Sequence, residues 1–336
     1  PGMASMGEIF RAAGYNTAYG GKWHLPKSFD GMTGFTKIIG GSKLGRDMDA
    51  PLSNACADWL RRNPQGPFLL VASFMNPHDI CDWIREHKGT RELPADASMP
   101  PPPMNMAVDP AEPEAVQYHR NAGYDLMSQA VGIAADWRRD DMRLYLHDYY
   151  RMVEQVDAEI GKVLAALRET GQDRNTVIVF ASDHGEGLGG HRWAQKAAFY
   201  EESLRVPFFL AGPGIRTGVN NQLTTLADIV PTLCGLTGVA APPDMRGCDV
   251  SRPFTRDAVL SQLRYGSPDR EGRMIRTARY KYIRFNSGAR PEQLFDLELD
   301  PGETQNLAPR GGPLLESHRA LLNTALSHTG DRFPRT

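Results

Sequence analysis

Three short strings hold most of the chemistry this sequence offers. The first is Gly20-Gly21-Lys22-Trp23-His24. On an extended backbone the side chains alternate in direction, so Lys22 and His24 share one face and Trp23 takes the other. A cation beside an imidazole suits an anionic group that must be held and whose protons must be managed. The second string is Asn76-Pro77-His78-Asp79, directly after an apolar run at 68–74. Ligands in open α/β sheets collect beyond the carboxyl ends of strands, and His78 falls there. The third is Ser182-Asp183-His184-Gly185-Glu186, which ends the apolar run 176–182 on the same rim. Adjacent carboxylate and imidazole groups make a pair of ligands for a divalent cation, with Gly185 permitting a sharp turn. The carboxylate favours a hard ion such as Ca²⁺ or Mg²⁺, and the imidazole tilts the choice toward Mn²⁺ or Zn²⁺. Gly187, Gly189 and Gly190 keep the next loop open, and His191 and Lys196 follow before Phe199-Tyr200-Glu201-Glu202.

These strings need a frame. Apolar runs at 17–20, 68–74, 176–182 and 207–211 read as buried strands of an α/β sheet. Residues 141–170 read as a long helix or a helix pair, with Leu144, Met152, Val156, Ile160, Val163, Leu164 and Leu167 on its apolar face and Gly171 at its end. Asp140-Asp141 reads as the cap of that helix. Met3, Met6, Ile9, Phe10 and Ala13 have helical spacing before Gly14, and 226–236 reads as the last helix of the main domain. The proline-rich stretch 93–113 is neither helix nor inner strand, and reads as a surface excursion near a site or a lid. Past residue 250 the pattern becomes short and alternating. Segments 274–277, 280–285 and 293–297 read as antiparallel strands and 314–326 as a closing helix. The expected layout is a large α/β domain over 1–248 and a small α+β subdomain over 249–336.

Composition narrows the function. With 41% hydrophobic and 23% charged residues, the 336-residue chain can bury an ordinary core. A net charge of −2 leaves no global basic field for nucleic acid or anionic lipid, so attraction for an anion has to be local. No run approaches the ~20 apolar residues of a membrane span. The helical spacing at the very start makes Pro1 read as a truncation or numbering boundary. Cys56, Cys81, Cys234 and Cys248 form no C-x-x-C pair and read as free or buried thiols, with a Cys234–Cys248 disulfide left open.

In combination the strings resemble the sulfatase family of the alkaline phosphatase superfamily. The resemblance rests on GYNTAYGGKWHL, NPH after a strand, SDHGEGLGGH with Lys196 downstream, LADIVPTLCGLTG, GRMIRTARYKYI and LFDLELDPGETQNLA, in family order. It implies an alkaline-phosphatase-like α/β sandwich with a mixed central sheet and a small C-terminal α+β subdomain. It implies hydrolysis of a sulfate ester, on a sulfated sugar or another alcohol, beside a divalent ion, Ca²⁺ first and Mn²⁺ or Mg²⁺ as alternatives. By match, Asp183 and His184 are metal ligands. Lys22 and His24 lie at a formylglycine nucleophile, with His24 assisting collapse of its hydrate. His78 is the acid at the leaving oxygen, and Lys196 grips the sulfate. The resemblance also implies a periplasmic or secreted location.

The sequence departs from the family pattern in one respect. The motif C/S-x-P/A-x-R that supplies formylglycine occurs nowhere in it, and Cys81-Asp82-Trp83-Ile84-Arg85 has the arginine spacing only. The nucleophile and a further pair of Asp ligands are therefore expected upstream of residue 1. Two other readings remain open: a phosphonate monoester or phosphodiester hydrolase of the same superfamily, and a non-catalytic anion-binding relative. For substrate contacts the candidates are His191, Trp83 and Arg85, with His87, Arg264, Tyr265 and the proline-rich stretch beside them, since Arg and aromatic groups suit a sulfated sugar.

Overall fold

The computed structural model describes residues 4–24, 34–41, 44–86, 99–122, 134–264 and 268–334. The readings of Met3, His87 and Tyr265, and of the first residues of the proline-rich stretch, lie outside them. Helix α1 (Met6–Ala12) starts on a reciprocal cap, in which Ser5 Oγ accepts from Glu8 N at 3.1 Å and the Glu8 carboxylate accepts from Ser5 N at 2.7 Å. Strand β1 (Asn16–Gly21) then pairs in parallel with β2 (Thr36–Ile39) on one side and β3 (Phe68–Ser73) on the other. Helix α2 (Gly45–Arg61) makes the crossover between β2 and β3. Its Met48, Leu52 and Cys56 pack on Ile38, Ile39, Leu70 and Ala72 of the sheet.

Two short helices, α3 (Ile80–Glu86) and α4 (Glu114–Ala122), come before α5 (Arg139–Glu169). The last is one continuous helix of 31 residues, where the sequence left a pair open. Asp141 accepts from Arg138 N at 2.9 Å, so this acid does cap the helix start. Strand β4 (Ile178–Ala181) pairs antiparallel with β5 (Phe208–Ala211), with the one-turn helix α6 (Glu201–Leu204) between them in sequence. Helix α7 (Ile229–Thr237) follows. Ala57 and Leu60 of α2 meet Ala166 and Leu167 of α5 on one side of Phe68, Leu70 and Ile178. Phe10 of α1 and Leu233 of α7 meet Leu69 and Val179 in a second cluster. Strands β3 and β4 thus lie between helical layers, as the continuous apolar runs require. Among the described residues the mixed sheet has two hydrogen-bonded pieces, β2-β1-β3 and β4-β5. No described helix is long and apolar enough to cross a membrane. All four cysteines are free, so Cys234 and Cys248 are not joined.

The C-terminal part is an antiparallel meander of β6 (Val259–Arg264), β7 (Glu271–Arg276), β8 (Tyr280–Phe285) and β9 (Glu292–Asp296). Helix α8 (Pro313–Thr329) covers one face with Leu315, Leu322 and Leu326. The other face sets Met274, Ile283, Phe285 and Phe295 against Trp193, Ala198, Phe199 and Tyr200. An ion cluster sits in this second contact. The fully buried Lys281 ammonium of β8 lies 2.7 Å from Glu201 Oε1 and 2.8 Å from Glu303 Oε1, and donates to Phe199 O at 2.8 Å. Glu303 Oε2 accepts from Glu201 N at 2.6 Å. Burial pushes the Glu303 carboxyl up to about 7, against the pull of Lys281.

Replacing Lys281 with Met leaves the buried Glu303 without its cation, while Glu201 keeps Arg276 at 3.7 Å. Removing one partner of a buried pair typically costs ~3–5 kcal/mol. The group left behind, Glu303, has a folded-state pKa raised above its ordinary value. Its stability is therefore present at low pH and lost as pH rises through the folded value. The Tm deficit of Lys281→Met should accordingly be larger at pH 8 than at pH 5. A deficit independent of pH would contradict this account of the cluster.

Candidate active site

Lys22 leaves the sheet one residue past β1. Its N–H donates to Ser73 O at 2.7 Å and its carbonyl accepts from Tyr19 Oη at 2.5 Å. The preceding Gly21 has φ 100°, and a Cβ there would lie 2.0 Å from Ser73 O, so the junction requires glycine. The strand expected to carry Lys22 and His24 on one face ends at Gly21. His24 is exposed and, among the described residues, makes no hydrogen bond or ion pair with the other site groups. The alternation argument therefore fails at this position because the pleat has already stopped.

His78 is held by two carboxylates that the sequence reading did not single out. Asp79 accepts from Gly45 N at 2.6 Å and Arg46 N at 2.9 Å, capping α2 from outside the helix. Asp49 of α2 returns the bond, accepting from Met75 N at 2.7 Å and Asn76 N at 3.0 Å. The turn after β3 and the start of α2 are thereby stitched together, and the half-buried His78 is fixed in that turn.

Asp183 and His184 follow β4. His184 Nδ1 lies 2.8 Å from Gly185 O, which can only accept, so Nδ1 bears the proton and Nε2 keeps its lone pair. That Nε2 is 3.6 Å from Asp183 Oδ2, and Lys22 Nζ is 3.9 Å from the same oxygen. The carboxylate is the exposed partner, at 66%. An imidazole with its far nitrogen tied to a carbonyl and its near nitrogen beside a carboxylate fits the donor set of a divalent cation. Two donors are part of a ligand shell, and among the described residues no group of three or more His, Cys, Asp or Glu converges. Gly185 is needed for close approach and not for a turn of unusual φ. Its N–H donates to Ser203 O at 2.9 Å, and a Cβ would lie 2.0 Å from Glu202 O.

Electrostatics ties these groups to Lys196. Burial lowers the Lys22 pKa, Asp183 opposes that and Lys196 adds to it. Burial, then Lys22, then Lys196, bring His78 down to about 4. His184 is lowered by burial first, with Lys196 also contributing. Lys22, Asp183 and His184 are thus in direct contact, and His78 and Lys196 are electrostatically coupled to them.

The candidate substrate contacts fare differently. Trp83 is buried in the cluster of Trp137 and Tyr145, and its Nε1 donates to Asp148 at 2.5 Å. His191 is buried, with its ring stacked on Tyr200 at 3.7 Å between centroids. Both side chains are packed among core residues. Arg85 pairs with Asp82 at 2.9 Å along α3, and Arg264 pairs with Glu271 across the β6–β7 ladder.

A family model described as Sulfatase matches residues 1–239, and one described as N-sulphoglucosamine sulphohydrolase, C-terminal, matches residues 189–316. The Delta 4,5-hexuronate-2-O-sulfatase of Bacteroides thetaiotaomicron is 33% identical over 366 residues, covering 98% of this chain and 73% of that protein. The ulvan-active sulfatase of Formosa agariphila is 30% identical, covering 98% of this chain and 66% of that protein. A solved structure of a 2-O GAG sulfatase superposes with a TM-score of 0.86 at 31% identity, covering 98% of this chain and 75% of that one. The chain spans about half to three quarters of the length of the first curated relatives it matches.

Two glycine substitutions test the packing of this cleft. Gly185→Ala drives a Cβ into the backbone of Glu202 and should cost ~1–3 kcal/mol, seen as a lower Tm. Gly161→Ala, in the open middle of α5, meets nothing within 4 Å and should raise Tm by removing backbone entropy from the unfolded chain. Equal Tm values for the two variants would show that the approach at Gly185 is not tight.

Proposed function

This chain belongs to the sulfatase family, and from that premise we propose that its site hydrolyses a sulfate ester carried on a carbohydrate. The observation that supports this most is the cleft itself. Lys22 and His184 lie 3.9 and 3.6 Å from the Asp183 carboxylate, and Lys196 and His78 are electrostatically coupled to this group, which suits an anionic ester needing fixed positive charge and a proton donor. A hexuronate sulfatase and an ulvan-active sulfatase among the relatives support a sulfated carbohydrate over a simple aryl ester.

In this reading Lys22 and Lys196 hold the sulfate oxygens. His78 gives its proton to the leaving alcohol oxygen. Burial and the two lysines hold the free imidazole down to about 4, and an ester between those lysines offsets their share of that effect. His24 assists after the alcohol has gone. A divalent ion held by Asp183 and His184 would supply positive charge for the sulfate group. The family's formylglycine, whose motif this sequence does not contain, would supply the attacking hydroxyl.

Two measurements on the enzyme check the assignments. Asp183→Ala should lose its divalent metal by elemental analysis, and full occupancy would sink that role. His78→Ala should lower kcat/KM on a sugar or alkyl sulfate by about 10²–10⁴-fold, the usual span of general acid catalysis. On an aryl sulfate with a good leaving group the loss should be far smaller, because that alcohol departs without a proton. Equal losses on both would make His78 a holder of sulfate. Faster turnover of phosphonate esters than of sulfate esters would overturn the substrate class.

A further inference from the structure

Between β4 and α6 the chain makes a loop that delivers Lys196. Its backbone is unusual. Leu188, His191, Arg192, Gln195 and Ala197 all have positive φ, between 49° and 71°. Residues with side chains adopt this region uncommonly and keep it only where the surroundings over-determine it. Lys196 lies directly between two of them. Left alone, this stretch would relax and its lysine would swing freely.

One carboxylate closes the loop. Glu186 is buried, and its Oε1 accepts from the Gln195 N–H and from the Tyr145 hydroxyl. Beside it the Gly187 N–H donates to Gln195 O at 2.9 Å. A side-chain bond and a backbone bond thus join the two ends of the loop, nine residues apart in sequence, immediately before the lysine. The strut behind the carboxylate is rigid. Tyr145 comes from the second turn of α5, is fully buried and packs on Trp83 and Trp137 at 5.7 and 5.1 Å between ring centroids. The Glu186 N–H is itself tied to Glu202 O at 3.0 Å. None of these groups has been given a part in the chemistry so far.

We infer that Glu186, backed by Tyr145, is a positioning residue that fixes Lys196 for its grip on the sulfate group. It acts through the Gln195 amide and does not touch substrate. The inference rests on Lys196 holding sulfate, as proposed above.

The test is a double-mutant cycle read by the affinity of the enzyme for inorganic sulfate, with Tm recorded alongside. Lys196→Ala should weaken sulfate by about 10- to 100-fold, the worth of one hydrogen bond to a charged group. Glu186→Ala should weaken it comparably, and Glu186→Ala with Lys196→Ala should bind no worse than Lys196→Ala alone. Glu186→Gln keeps an acceptor oxygen for the Gln195 N–H and should restore most of the affinity. Tyr145→Phe removes only the strut's hydroxyl and should give a smaller loss that also vanishes in the Lys196→Ala background. If Glu186→Ala lowers Tm but leaves sulfate affinity intact, or if its effect adds in full to that of Lys196→Ala, the positioning role is wrong. If Glu186→Ala does not fold, an unchanged affinity in Tyr145→Phe, or a Tyr145→Phe loss that adds in full to that of Lys196→Ala, overturns it equally. Wild-type enzyme and Lys196→Ala binding sulfate alike would remove the reading of Lys196 itself, and the positioning role with it.

Discussion

Like charges resist being gathered, and this site gathers them. Lys22 and Lys196 each depress the protonation of His78, and one exposed carboxylate, Asp183, stands against the pair. In a partly buried cleft that repulsion is screened less than in open water. The groups stay together because backbone and core hold each of them from behind. What the rest of the structure must supply is therefore stiffness at the strand ends.

Three joints supply it, two of them close backbone approaches and one a pair of side-chain caps. Gly21 passes against Ser73 and starts Lys22. The Asp79 carboxylate accepts from backbone N–H groups at the start of α2, and the Asp49 carboxylate of α2 accepts from those of the turn after β3, which fixes the turn that carries His78. Gly185 passes against Glu202 and Ser203 below Asp183 and His184. The last joint leans on the C-terminal meander, since Lys281 of β8 holds the Glu201 carboxylate and Phe199 O at the start of α6. The meander is thus part of the support of the site.

Much of this was legible in the sequence. The four apolar runs became β1, β3, β4 and β5 within one or two residues at each end, because a strand covered on both faces reads as a continuous apolar run. The strings at their ends gave Lys22, His78, Asp183 and His184 for the same reason. Helix α2 was missed although Met48, Leu52, Cys56 and Leu60 recur every four residues. Pro51 and a polar run of Asp47, Asp49, Ser53 and Asn54 hide that period. Strand β2 has only four residues, too few for alternation to show. Trp83 and His191 were drawn into the site by residue type. Spacing was the better guide for Trp83, which shares a helical face with Ile80 and Ile84. The caps given by Asp79 and Asp49 join segments about thirty residues apart, and local pattern carries no signal for such bonds.

The charge balance of the cleft explains why several segments must contribute to it. Two lysines stand against one exposed carboxylate, and burial lowers the pKa of both imidazoles. A monoanionic sulfate ester matches that balance in the ground state. As the ester bond breaks, further negative charge grows on the leaving oxygen, and in the proposed reading the lysines hold the sulfate oxygens. The added charge needs a separate proton source on a different segment, displaced from the lysines along the breaking bond. His78 follows β3 while Lys22 follows β1 and Lys196 arrives on the loop after β4, so the acid proposed above is carried on a segment of its own. Stabilisation of this kind is worth most when the groups do not reorganise during reaction. That is why so much of the fold is devoted to holding five side chains still.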